Sequence, residues 1–316
     1  MKTDSILRIR HSAMGCDFDF LVTGQDLSYL RDAVSEAIEE LDELEHQMSV
    51  FNSTSEISYI NKMAFPGPVR VEPRLFALLS MAYCLTIDTQ GAFDITTRAL
   101  TRLWNSSQDS APTEDEIRKV LAHTGMHNVV LDEDETTVRF ERKGVQLDLG
   151  AIGKGYAIRR IAELLRETGV TNALLSAGNS TVYALGCPPE EDAWCVGISD
   201  PSRHSKRLGF VRLRDEALSV SGSHERYVEI HSHRYSHIID PRTGLPVEGM
   251  LATVAITQDP TVADALSTAF FVLGLEGIRD YCTIHPEVSA LSMVNSDASD
   301  IPRIISLGRL CDFEPI

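Results

Sequence analysis

The chain has no Cys-x-x-Cys pair among its six cysteines, Cys16, Cys84, Cys187, Cys195, Cys282 and Cys311, so neither a zinc ribbon nor a redox dithiol is signalled. They are spread through apolar segments, where a thiol serves as a small core residue. Basic charge is also scarce: 29 Lys and Arg stand against 46 Asp and Glu, a formal net charge of −17. A surface of that sign repels nucleic acid and anionic membranes, so no nucleic-acid partner is expected. No apolar run approaches the ~20 residues of a transmembrane helix, so no membrane span is expected. Residues 1–10 are polar and lack the apolar stretch of a signal peptide. Ala13-Met14-Gly15-Cys16 resembles a lipoprotein cleavage site, but Arg8, Arg10 and His11 occupy the place of its apolar run. The expected location is the cytoplasm, with export only if the start is misassigned. Repeats, low-complexity stretches and clear linkers are missing as well. So are a Gly-x-Ser-x-Gly elbow, a Walker A loop and the dinucleotide fingerprint Gly-x-Gly-x-x-Gly.

What the chain does carry is apolar residue for a large core, at 43% of 316 positions. Over residues 26–48, Leu27, Leu30, Val34, Ile38, Leu41 and Leu44 recur at the spacing of an amphipathic helix. Residues 73–89 predict a second, more apolar helix stopping near Gly91. Thr113-Glu114-Asp115-Glu116 is a capping box that opens a third, ending near Gly125. The period then changes, and residues 129–131, 137–140 and 145–149 read as short strands. Residues 156–168 are helical, closed by Gly169, and 173–176 form another strand. From 193 to 239 strands dominate, including a hairpin of 227–230 and 234–239 that turns at His231-Ser232-His233. A strand at 251–256 leads into a helix that Asp259 and Pro260 start, with Leu266, Ala269, Phe270 and Leu273 on its buried side. Residues 288–294 and 303–305 read as closing strands. The fold class is therefore α+β, with mixed, largely antiparallel sheets and packed helices. It reads as one domain over residues 1–316, with a division into two lobes left open.

Three segments carry candidate chemistry. In Ala263-Asp264-Ala265-Leu266-Ser267-Thr268-Ala269, two oxygen-bearing side chains four apart project from one helix face, where they could hold a hard cation such as magnesium. The plain alternative is a solvated Asp and a Thr bonded to its own backbone. In Asp148-Leu149-Gly150-Ala151-Ile152-Gly153-Lys154-Gly155, a glycine-rich turn with a lysine opens a helix whose free N–H groups favour an anion. A tight turn with an exposed lysine explains the same residues. His237 lies beside Asp240-Pro241-Arg242-Thr243-Gly244, alternating with Tyr235 and Ile239 on one strand face. It is placed for proton transfer, or for packing with a bond to the backbone. A zinc reading of His231, His233 and His237 lacks a completing carboxylate or cysteine. Ala92-Phe93-Asp94 sets an aromatic beside an acid, suited to a flat ring or to a core Phe with a capping Asp.

Taken in order, these pieces resemble the FAD:protein FMN transferases, the ApbE-type flavin transferases. The resemblance covers nearly the whole chain. It runs from Met14-Gly15 on the first strand through Met48-Ser49-Val50-Phe51, Ser55-Glu56-Ile57 and Gly91-Ala92-Phe93-Asp94-Ile95-Thr96. It continues through the 148–157 turn, Ser221-Gly222, the 234–244 segment and the Asp264–Thr268 stretch. It implies an ApbE-like α+β fold and an Mg2+-dependent enzyme that takes FAD as substrate. Such an enzyme transfers FMN to a Ser or Thr hydroxyl of an acceptor protein and releases AMP. By motif, Met14, Ala92, Phe93, Asp94, Asp148, Lys154, His237 and Ile238 would contact FAD. Asp264, Thr268 and the backbone oxygen of Ala151 would hold the metal. His237 is the candidate proton acceptor, with Asp94 as its rival. Three departures from the family pattern are Cys16, where Thr is frequent, Ser176-Ala177-Gly178-Asn179-Ser180 in place of a Leu-Gly-Gly-Asp type of turn, and the lack of the export signal expected in many relatives. Two other functions remain as alternatives: an FAD pyrophosphatase giving FMN and AMP, and a non-catalytic FAD-binding protein.

Overall fold

The computed structural model describes residues 5–106, 110–201, 203–222, 227–230, 233–296, 299–308 and 313–316. The N-terminal part runs β1 (Ser5–Ala13), β2 (Cys16–Gly24), α1 (Leu27–Met48), α2 (Glu56–Met63), β3 (Val69–Arg70), α3 (Pro73–Asp88), α4 (Arg98–Ser106) and α5 (Glu114–Leu121). The middle follows as β4 (Val129–Asp132), β5 (Thr137–Phe140), α6 (Gly153–Glu167), β6 (Ala173–Ala177), β7 (Thr181–Leu185), β8 (Trp194–Asp200), β9 (Arg203–Leu213) and β10 (Glu216–Gly222). The rest is β11 (Tyr227–Ile230), β12 (His233–Ser236), β13 (Met250–Thr257), α7 (Pro260–Ile284), β14 (Ser289–Ser296), β15 (Ser299–Gly308) and β16 (Phe313–Pro315).

The architecture is α+β, as the patterning predicts. Its spine is an antiparallel sheet in the order β1-β2-β6-β7-β10-β13-β14-β15. Alternation along the strands divides the core between its two faces. Tyr183, Ala217, Ala255 and Ala290 join the cluster that includes residues of α1, α6 and α7. Their neighbours Ala184, Leu218, Val254, Ile256 and Leu291 face the other way, onto Trp194, Val196 and Val211 of a smaller sheet, β16-β9-β8. The spine is thus the middle of three layers. Small residues on its helical face let α7 lie close over β10 and β13.

Several expectations need correction. Met14-Gly15 is not on the first strand. Both residues have positive φ, 51° and 72°, and form the two-residue turn joining β1 to β2. Residues 145–149 are not a strand. Asn61 takes the ladder's place, its side chain accepting from Leu147 N–H at 2.6 Å and donating to Leu147 O at 2.9 Å. The helix expected over 156–168 starts earlier, at Gly153. The strand expected over 234–239 ends at Ser236, so His237 lies just beyond β12, and the turn at 231–232 is outside the described residues. Helices α2 and α4 and strands β2, β3, β7 and β16 are additional to the sequence-based reading. Leu273 is only half-buried. Finally, α7 is 25 residues long and apolar enough to cross a membrane by length and composition. Here it is a core helix packed on β13, β10 and α6, and Gly274 (φ 67°) interrupts it.

Helices α6 and α7 meet at Gly155. A Cβ there would fall 2.1 Å from Pro260 O and 2.7 Å from the Asp264 Cβ. Both contacts are far inside van der Waals range, so no larger residue fits without separating the helices. Gly155→Ala should therefore destabilise the fold by about 1–3 kcal/mol through overpacking, read as a lowered denaturant midpoint at unchanged slope. An unshifted midpoint would show that the helices are not held at this distance.

Candidate functional site

Asp148 begins the turn into α6. Its Oδ1 accepts from Gly150 N–H at 3.0 Å, and Gly153 N–H closes onto Leu149 O at 2.7 Å. Its Oδ2 accepts from Arg98 Nη1 at 2.9 Å. The same guanidinium donates to Val50 O at 3.3 Å and lies over the Phe51 ring, 5.2 Å from its centroid. Arg98 thereby binds the end of α1 and the start of α4 to the glycine-lysine turn, and it was not singled out from the sequence. Ala151 lies half-buried within the turn, between Asp148 and Lys154. At the N-cap of α6, Ile152 supplies no side-chain acceptor for the first N–H groups, leaving the positive end of the helix dipole for an anion.

One acceptor arrives from elsewhere in the fold. Asp264, on α7, takes the Gly155 N–H on Oδ2 at 2.9 Å. Its Oδ1 accepts the hydroxyls of Thr181 and Ser219, each at 3.2 Å, and lies 3.7 Å from Lys154 Nζ. The residue is 4% exposed. This differs from the sequence expectation of a polar helix edge, because α7 is buried on nearly every side. A carboxylate buried this deeply is costly unless charge and hydrogen bonds compensate, and here Lys154 and three donors do so. One helical turn on, Thr268 is half-buried, its Oγ1 3.1 Å from Ser221 Oγ. Ser219 and Ser221 share one face of β10, the face turned to α7.

Asp94 is held differently. Its carboxylate accepts from the Thr96 N–H and hydroxyl and from the Met126 N–H. Burial pushes the Asp94 carboxyl up, opposed by those hydrogen bonds and by His127. Roughly four lone-pair sites exist on a carboxylate, and the protein fills most of them. Ala92 and Phe93 are both 1% exposed. The Phe93 ring lies in the main core, so a flat ligand could meet this segment's backbone but not stack on that side chain. The Asp148 N–H donates to Ile95 O at 2.7 Å, which joins the segment to the glycine-lysine turn.

The remaining candidates sit around this centre. Met14 donates its N–H to Glu45 Oε1 at 2.8 Å, fixing the β1–β2 turn on α1. That turn lies near the Ser176–Ser180 departure, since Gly178 N–H reaches Asp17 O at 2.8 Å. His237 is half-buried. Ile238 packs with Phe271 of α7, one turn beyond Thr268. The following turn is pinned by Trp104 Nε1, which donates to Gly244 O at 2.9 Å, and by an Asp240–Arg242 pair. Hydrogen bonds therefore connect Asp94, Asp148 and the Ala151 turn, and Asp264 with Gly155 and, through Ser267 and Ser221, with Thr268. Lys154 joins Asp264 by an ion pair at 3.7 Å, and Ile238, next to His237 in the chain, packs on Phe271.

The donors converging near Asp264 are all oxygens: one carboxylate and the hydroxyls of Thr181, Ser219, Ser221, Ser267 and Thr268. Such a set suits a hard cation and not a thiophilic one. Among the described residues no three His, Cys, Asp or Glu side chains gather into a metal cluster. The hydroxyls escaped the sequence reading. Alternation could have shown that Ser219 and Ser221 share a face, but not that the face meets Asp264.

The chain is similar to known proteins over most of its length. The profile of the ApbE family matches residues 14–292. A Treponema pallidum protein named FAD:protein FMN transferase is 34% identical over 276 residues, covering 82% of this chain and 76% of its own. A Klebsiella pneumoniae protein of the same name is 33% identical over 236 residues, covering 73% and 72%. The crystal structure of the ApbE protein from Thermotoga maritima superposes with a TM-score of 0.85 at 28% identity, covering 96% of this chain and 97% of that one. The Pseudomonas stutzeri flavinyl transferase ApbE gives 0.83 at 25% identity, covering 96% and 95%. On the family match over most of its length and on these relatives, the chain belongs to the ApbE family.

Proposed function

We propose that this protein transfers FMN from FAD to a Ser or Thr hydroxyl of an acceptor protein, releasing AMP, with Mg2+ bound at the site. The observation that carries the reading is the buried Asp264 carboxylate, bound to Gly155 N–H and 3.7 Å from Lys154 Nζ at the start of α6. That puts a cation, a helix N-terminus and an oxygen-donor pair at one place. A pyrophosphate needs that combination in a chain whose net charge is −17. Relatives named FAD:protein FMN transferase supply the substrate pair.

In this reading the acceptor oxygen attacks the FMN-side phosphorus and the bond to the AMP oxygen breaks. Phosphoryl transfer of this kind asks the protein for positioning and charge neutralisation more than for covalent help. Lys154 offsets charge on the pyrophosphate oxygens. His237 takes the proton of the incoming hydroxyl, since its neutral imidazole is a base suited to neutral pH. Asp94 is the weaker candidate because its oxygens already hold Thr96 and Met126. Met14, Ala92, Phe93, Asp148 and Ile238 shape the flavin and ribityl side of the pocket, Ala92 and Phe93 through their backbone. Asp264, Thr268 and the Ala151 carbonyl would hold Mg2+, whose charge would be supplied to the bridging phosphate oxygens.

The defining measurement is incubation with FAD, Mg2+ and a candidate acceptor, followed by mass analysis. A gain of one FMN on the acceptor is expected. Free FMN and AMP without labelling would make the protein an FAD pyrophosphatase, and intact bound FAD would make it a binding protein. Asp264→Ala should lower turnover by at least about 100-fold, the scale of removing one charge-stabilising group; an unchanged rate would remove Asp264 from the metal site.

The base assignment has its own test. Asp94→Asn turns an amide N–H2 toward the Met126 N–H or the Thr96 donors, so it should cost about 1–3 kcal/mol of stability. Folded Asp94→Asn should retain most turnover, whereas His237→Ala should lose it with little change in melting temperature. If the two behave the other way round, the proton acceptor is Asp94.

A further inference from the structure

The inner face of α7 carries hydroxyls whose hydrogens can be assigned one after another. The Asp264 carboxylate and main-chain carbonyl can only accept. Oδ1 receives Thr181, the Ser219 hydroxyl lies 3.2 Å from both Oδ1 and Ser180 O, and the main-chain carbonyl of Asp264 receives the Ser267 hydroxyl at 2.9 Å. A serine has one hydrogen to give. With its hydrogen placed on Asp264 O, Ser267 Oγ accepts from Ser221 Oγ, 2.8 Å away, in a pair where either oxygen is able to donate. With that hydrogen spent, Ser221 accepts from Thr268 Oγ1 at 3.1 Å. A helical threonine would otherwise turn its hydroxyl onto the carbonyl four residues back. For Thr268 that carbonyl is Asp264 O, whose two lone pairs already face the Thr268 N–H of the helix ladder and the Ser267 hydroxyl. Ser267 is 1% exposed, whereas Ser221 and Thr268 are half-buried, so the series runs from the interior toward more exposed positions.

We propose that Ser221 is a positioning residue for the cation site: it draws the Thr268 hydroxyl hydrogen inward, so that Thr268 presents lone pairs and not a proton to a hard divalent cation. This rests on the assignment of Asp264 and Thr268 as the pair that holds the metal. In this reading Ser221 acts through Thr268 and is not itself a ligand of the cation. Its contribution is the direction of one hydroxyl, which neither the length nor the charge of the site determines.

The test is a Mn2+ titration of the full chain followed by electron paramagnetic resonance, with Mn2+ alone as the probe and melting temperatures measured in parallel. Ser221→Val, which has the shape of threonine without its oxygen, should bind Mn2+ about 10-fold more weakly or worse, the usual effect of losing a partner behind a metal ligand. Ser221→Thr should restore binding to within about 2-fold of the unaltered chain. Ser221→Ala repeats the comparison should the valine variant not fold. Equal affinity in Ser221→Val, or in Ser221→Ala where that variant stands in, overturns the proposal, as does a loss that Ser221→Thr fails to rescue. If the unaltered chain and Asp264→Ala bind Mn2+ equally, or not at all, the metal assignment itself falls, and this proposal with it.

Discussion

The contact between Gly155 and Asp264 is the constraint on which the rest of the site depends. A Cβ at position 155 would sit 2.1 Å from Pro260 O, so helices α6 and α7 reach this separation only because glycine stands there. The bare backbone lets Gly155 N–H donate to a buried carboxylate 109 positions away in sequence. That single bond satisfies an N–H at the start of one helix and offsets the burial of charge on the other. It also sets Lys154 beside Asp264. Moving the helices apart would break the hydrogen bond, unpair the lysine and expose the acid together.

Around that contact the molecule separates two kinds of polar group. Arg98, Asp94 and Asn61 tie loops together, and their polar atoms are largely used by the protein itself. Asp264, Thr268 and Lys154 form the second kind: Asp264 also holds Gly155 N–H, Thr181 and Ser219, but with Lys154 and Thr268 it gathers charge and oxygen donors beside an N-cap residue of α6 that supplies no side-chain acceptor. The three-layer architecture makes this possible. Small residues on the helical face of the spine, such as Ala217 and Ala255, let α7 come close. The same face then supplies Thr181, Ser219 and Ser221 as hydrogen-bonding partners.

Much of the fold was legible in the sequence because it rests on local rules. The capping box at Thr113, the Asp259-Pro260 start of α7 and the apolar spacing of α1 each correspond to an observed element. The misreadings occur where a distant residue overrides a local pattern. Residues 145–149 alternate like a strand, but the Asn61 side chain occupies the groups a neighbouring strand would pair. Phe93 beside Asp94 looks suited to a flat ring until the ring is found in the core. Arg98 carried no signal because its partners, Val50 O and Asp148, come from two other segments.

The order of short motifs along the chain was sufficient by itself to point to an ApbE-type flavin transferase, since each motif is bound to a local turn or helix start that the nearby residues dictate. Asp264 and Thr268 share a helix face for the same local reason, the 3.6-residue period. Only the tertiary structure decided that this face is buried, that Gly155 and Lys154 meet Asp264, and that Ser221 lies against Thr268. Those contacts join residues tens of positions apart, and their geometry follows from how closely two helices and a sheet can pack.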